Sequence, residues 1–182
     1  MIYEKSGGAH HPVPVAYLDT CLVIGLRKHD LGSEQEPLTE LLRLRKAGQL
    51  RLMTGNETVE ELGRLQPQMS PEDEVIYLLF DDVPVVDEQT LTPGVIRAGS
   101  GPKGPTVVKD SDFAALERLL PGLGDARHLF HAIRHGVAYF VTTDQKTILS
   151  RAEQIEAVYP IAIRKPSAVV AELTQRGETA MS

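Results

Sequence analysis

Five short apolar runs alternate along this chain with stretches of helical periodicity, and that alternation constrains the fold more than any other feature. The first, residues 13–18, is brief and apolar, with valines and a tyrosine, and reads as a buried strand. Residues 50–54, 83–86, 137–141 and 158–163 read as further strands. Residues 36–46 carry apolar side chains at 38, 41, 42 and 44 and close at Gly48, the pattern of a helix. Helices are also expected over 58–65, over 71–80 with Pro71 in the first turn, and over 114–120, 125–135, 146–152 and 166–175. Alternation of this kind predicts an α/β fold in three layers, α/β/α, around a central parallel sheet of about five strands. Ligands of such sheets bind at the carboxyl ends of the strands.

The chain has 182 residues, enough for one domain with a substantial core, expected over 13–175 with a polar tail behind it. No apolar run approaches the roughly 18 residues that cross a bilayer. The first residues lack the basic stretch and apolar core of a secretory signal, so a cytoplasmic location is the default expectation. A net charge of −6 argues against a general nucleic-acid coat protein, but not against a nuclease whose acidic site is offset by cations. The single cysteine, Cys21, excludes an internal disulfide and a thiolate cluster, and its apolar surroundings suggest a small buried hydrophobe. Two basic clusters, Arg43, Arg45, Lys46 and Arg51, then Arg127, His128, His131, Arg134 and His135, read as solvated helix faces. The Gly-, Pro- and Thr-rich stretch 88–109, with Arg97, Lys103 and Lys109, is long for a compact domain. It reads either as a segment that drapes over a substrate backbone or as an insert without a role.

Four acidic residues stand where that fold places chemistry. Asp19 ends the first strand, in Val-Ala-Tyr-Leu-Asp-Thr, and Asp144 follows the fourth, in Phe-Val-Thr-Thr-Asp. Buried carboxylates are costly unless they face a cleft or a partner, and Thr20, Thr142 and Thr143 supply hydroxyls nearby. On the helix at 58–65, Val59, Leu62 and Leu65 form the buried stripe. Glu61 lies about 100° from its centre, Glu60 lies nearly opposite, and Glu57 is a reserve one turn earlier. On the helix at 125–135 the stripe is Ala126, Leu129, Phe130 and Ile133, with Asp125 at its margin. The same construction turns His128, His131 and His135 to solvent, which argues against histidine ligation. Asp19, Asp125 and Asp144 each have a competing reading as turn or helix caps. Carboxylates gathered closely are tenable if a hard cation neutralises them or some stay protonated.

Other chemistries lack their motifs. No Gly-rich phosphate loop follows the first strand, no second aspartate stands two residues after Asp19, and no Gly-x-Ser-x-Gly elbow occurs. Instead, Tyr-Leu-Asp-Thr, Glu-Glu-Leu, Gly-Asp-Ala before a helix ending in His-Gly, Tyr-Phe-Val-Thr-Thr-Asp and Ile-Ala-Ile-Arg-Lys-Pro-Ser-Ala-Val-Val-Ala-Glu-Leu together resemble the PIN-domain ribonucleases. That family includes the toxins of many toxin–antitoxin pairs. The resemblance spans roughly 13–175 and implies a PIN-like sheet, one or two Mg²⁺ or Mn²⁺ ions, and hydrolysis of RNA phosphodiester bonds. It assigns the metal-binding acids to Asp19, Glu61, Asp125 and Asp144, with Asp19 and Asp144 as direct ligands. It also implies RNA as substrate, an antitoxin protein as partner if the chain is a toxin, and a homodimer. Two other readings stay open: a catalytically silent PIN-like module that binds RNA or protein, and an α/β interaction domain whose acids are only caps.

Overall fold

The computed structural model describes residues 13–55, 58, 85–86 and 110–180. The expected helices at 58–65, Thr58 apart, and at 71–80, Glu57, Glu61 and the 88–109 stretch lie outside the described residues. The described elements run β1 (Val15–Leu18), α1 (Thr20–Lys28), a 3₁₀ turn (Gly32–Glu34), α2 (Gln35–Lys46), β2 (Arg51–Gly55) and β3 (Val85–Val86). They continue with α3 (Asp110–Leu119), α4 (Leu123–Arg134), β4 (Tyr139–Val141), a second 3₁₀ turn (Leu149–Arg151), α5 (Ala152–Val158), β5 (Ala162–Arg164) and α6 (Pro166–Ala180). No helix among the described residues is long and apolar enough to cross a membrane.

The five strands form one sheet in the order β3-β2-β1-β4-β5, and every pairing is parallel. β1 is central, with Tyr17 opposite both Met53 and Phe140. Successive side chains of a strand point to opposite faces, and here they divide the interior into two cores. Ala16, Leu18, Tyr139, Val141 and Ala162 join Leu22 and Leu26 of α1, Leu38 and Leu41 of α2 and Val169 of α6 on one face. Tyr17, Phe140 and Ile163 join Leu116 of α3, Leu129 and Ile133 of α4 and Ile155 of α5 on the other. This is the three-layer arrangement expected from the alternation of runs. Successive strands are laid down from β1 outward to β2 and β3 on one side, and to β4 and β5 on the other. The crevice at the carboxyl ends of β1 and β4 is therefore a topological switch point, where ligands of open α/β sheets bind.

Several elements differ from the sequence reading. The run Thr-Cys-Leu-Val-Ile-Gly-Leu forms α1, which was not anticipated because its near-continuous apolar character hides the helical period. Gly25 inside it lets the Leu31 side chain pack on that turn: a Cβ there would come within 2.4 Å of Leu31 Cδ2, which would have to shift. α1 ends at His29, in the left-handed conformation at φ 54°. Residues 145–148 form a turn and the helix follows only at Ala152–Val158. The run read as one strand over 158–163 is thus divided: Val158 ends α5, and Tyr159 before Pro160 is extended, as a residue preceding proline prefers. α4 begins two residues before Asp125, and α6 continues past Gln175 to Ala180. Its start is tied to the first half of the chain, since Ser167 donates through N–H and Oγ to the Glu34 carboxylate at 2.9 Å each.

Candidate functional site

Asp19 lies one residue beyond β1 and its amide donates to Val141 O of β4 at 3.0 Å, so the sheet itself sets its backbone. Its side chain is 5% exposed. Oδ2 accepts from Thr142 Oγ1 at 2.6 Å and from the Cys21 thiol at 3.1 Å. Oδ1 takes no hydrogen bond among the described residues, and its lone pairs remain available. Thr142 stands at the matching position after β4, fully buried, and its hydroxyl also accepts from Asp144 N–H at 3.0 Å. One hydroxyl thus joins the two strand-end acids.

Asp144 closes the turn that follows. Its carboxylate accepts from Lys146 N–H at 2.9 Å, Thr147 N–H at 3.0 Å and the Thr147 hydroxyl. The capping role foreseen for Asp144 is real, although what it caps is a turn. Partial burial pulls this carboxyl upward, but the Thr147 hydroxyl, the two amides and the Lys146 ammonium outweigh it and hold it below its ordinary range.

Asp125 is not the N-cap of α4. That position belongs to Gly122, and Asp125 is the third residue of the helix. Its carboxylate folds back over Gly122, so that a Cβ there would stand 2.7 Å from Oδ2. Burial, then the charges of Asp19 and Asp144, push the Asp125 carboxyl above its ordinary value, with His128 and Thr147 opposing the rise. The three aspartates therefore share one electrostatic environment at the crevice. Among the described residues, none of the three forms an ion pair with lysine or arginine, and no three His, Cys, Asp or Glu side chains converge closely enough to hold a metal by themselves. Hard oxygen donors without a basic partner suit a divalent cation of the Mg²⁺ or Mn²⁺ type, which takes much of its shell from water.

Cys21 and the histidines of α4 were misjudged from sequence. Cys21 is not merely a small hydrophobe. Its sulfur lies 3.1 Å from Asp19 Oδ2, 3.3 Å from Thr142 Oγ1 and 3.4 Å from Thr143 Oγ1. Burial and the neighbouring Asp19 carboxylate push the thiol up to about 11, so it is a neutral donor and no nucleophile at neutral pH. His128 and His131 do not face solvent: both are 2% exposed, and His135 is half-buried. The helical stripe did identify Ala126, Leu129, Phe130 and Ile133 correctly. It assumed a single covered face, however, whereas α3 packs along another flank, with the Phe113 and Phe130 rings 5.3 Å apart, and the end of β1 receives His128.

The parallel sheet between two layers of helices is consistent with a PIN-like fold. Among solved structures the chain is similar to VapBC-1 from nontypeable Haemophilus influenzae, determined at 2.2 Å. The TM-score is 0.50 at 19% identity, over 84% of this chain and 98% of that one. At this identity the likeness is one of fold. No family model and no curated protein matches the sequence.

Proposed function

We propose that this protein is a ribonuclease that hydrolyses RNA phosphodiester bonds with a divalent cation held by Asp19, Asp125 and Asp144, and by Glu61 as the fourth acid of the sequence resemblance. The observation that carries this reading is the group of three aspartates at the switch point between β1 and β4, none of them in an ion pair with lysine or arginine among the described residues. The fold likeness and the motifs quoted above support it. A divalent cation there supplies charge neutralisation and Lewis acidity toward a phosphodiester and its attacking water. The protein's own part is placement. Thr142 and Cys21 hold Asp19 by Oδ2, and Oδ1 is the oxygen that would be offered to a cation. The 145–148 turn holds Asp144. Asp125, pushed upward by burial and then by the Asp19 and Asp144 charges, keeps a proton more readily than an ordinary aspartate, and a bound cation would favour its charged form. No protein nucleophile is needed. A role as the toxin of a toxin–antitoxin pair, with an antitoxin as partner and a homodimer as the assembly, is the narrower form of this proposal.

Thermal unfolding with EDTA and with millimolar Mn²⁺ tests it. At a hundredfold excess over Kd, ligand binding stabilises by about 2.7 kcal/mol, a rise of roughly 5–10 °C for a chain of this size. The rise is expected in wild type and absent in Asp144→Asn. No shift in either protein would reduce the acids to caps, and a shift without RNA cleavage would make the chain a silent PIN-like module. Gly122→Ala probes the same site from behind. The backbone at φ −105° accepts alanine, so the fold is expected to persist. The added Cβ displaces Asp125, and cleavage should fall by roughly ten- to a hundredfold, as ångström-scale misplacement does elsewhere. Wild-type cleavage by this variant would remove Asp125 from the site.

A further inference from the structure

We propose that a ring of buried hydrogen bonds through His128 clamps the backbone on both sides of Asp19 and sets the aim of its carboxylate. The ring runs from Tyr17 Oη to His128 Nδ1 at 2.8 Å, and from His128 Nε2 to Thr20 Oγ1 at 3.2 Å. It continues from Thr20 Oγ1 to Thr58 Oγ1 at 3.0 Å, between Thr58 Oγ1 and Thr54 Oγ1 at 2.7 Å, and from Thr54 Oγ1 to Leu18 O at 3.1 Å. Thr20, Thr54, Thr58 and His128 are all buried.

The His128 tautomer follows from counting protons. Thr20 donates to Thr58, whose oxygen accepts from Thr54 as well, and a hydroxyl has only one proton to give. With the Thr20 proton so committed, the ring nitrogen facing Thr20 must be the donor, and His128 carries a proton on Nε2. In the neutral imidazole Nδ1 is then bare and accepts from the Tyr17 hydroxyl.

The path begins on Tyr17 and ends on Leu18, adjacent residues of β1, and passes through Thr20. It therefore encloses Asp19 from the residues before and after it. It also ties four elements together: β1, the start of α1, β2 through Thr54, and α4 through His128. α4 carries Asp125 one turn before His128, so the ring fixes these two aspartates in one frame. His128 and Thr58 are positioning residues here, and their consequence for chemistry rests on the ribonuclease reading. The clamp itself does not.

The first test is ¹⁵N NMR of the histidine rings in the wild-type protein. The expected result for His128 is a proton on Nε2 and a bare Nδ1. A proton on Nδ1 with a bare Nε2 would overturn the ring, because Thr20 would then lack its donor. The second test is amide hydrogen exchange in Thr58→Val, which keeps the shape and removes one hydroxyl. The Asp19 amide, bonded to Val141 O, should exchange roughly tenfold faster. The Ala162 amide, bonded to Ala138 O at the same 3.0 Å, should be unchanged, and Thr58→Ser should restore the wild-type rate. Unchanged exchange at Asp19, or equal loosening at both amides, would show that Thr58 does not position Asp19. Mn²⁺ affinity is expected to fall in Thr58→Val and recover in Thr58→Ser. Failure of the wild type to bind Mn²⁺ would count against the ribonuclease reading, while the tautomer and exchange results still decide the ring.

Discussion

Asp19→Asn is expected to lose RNA cleavage by at least roughly a hundredfold, the scale on which a single preorganised electrostatic group matters in other enzymes, and to keep its fold. The amide is isosteric with the carboxylate. Its oxygen can accept from Thr142 and Cys21 as Oδ2 does now, which points its NH₂ to where Oδ1 stands. On the proposed reading, a cation ligand is thereby replaced by a donor that repels cations. Without metal, the variant should melt no lower than wild type, because the Asp19 charge that raises Asp125 is gone. The Mn²⁺-dependent rise should vanish with the activity. Cleavage at the wild-type rate would remove Asp19 from the reaction altogether.

The largest loss of stability is expected from Phe140→Ala. Phe140 is fully buried in β4 and stacks on Tyr17 of β1, with ring centroids 5.4 Å apart and planes 11° from parallel. Truncation leaves a cavity between the sheet and the helices that cover this face, at a cost of about 3–5 kcal/mol. Small domains hold only about 5–15 kcal/mol in total, so the melting point should fall by roughly 6–20 °C. Val158→Ala supplies the contrast: that side chain is 66% exposed, and its loss should leave the denaturation midpoint unchanged. A cost for Phe140→Ala no greater than for Val158→Ala would mean that the core facing α3, α4 and α5 is not packed as described.

How legible these features are in the sequence depends on the interaction that creates each one. The sheet declares itself through short apolar runs, because parallel strands are buried on both faces. α1 does not, because a helix pressed between strand ends and a packed Leu31 lacks the polar face that marks a helical period. Asp19 and Asp144 were legible because an acid directly after a buried run has few places to go except a strand-end crevice. Asp125 was legible as a residue at the margin of a stripe. Its lean over Gly122 was not, since that depends on the absence of one methyl group. His128 was misplaced because a helical wheel carries no information about which other element lies across its polar side. The ring through Thr20, Thr54 and Thr58 joins residues as far apart as 111 positions, from Tyr17 to His128. No local pattern encodes such pairings.

The bond from Thr142 to Asp19 bridges 123 positions, which has a consequence for how this chain comes into being. β1 and Asp19 are synthesised well before β4 and the Thr142 hydroxyl that holds the carboxylate. A nascent chain that stops before β4 pairs β1 with β2 alone and has an acid without that hydroxyl to aim it. Pairing over such separations also slows folding, because the entropy of closing the loop is lost before the contacts form. The arrangement at this crevice thus forms only after a strand made long after the one that leads into Asp19.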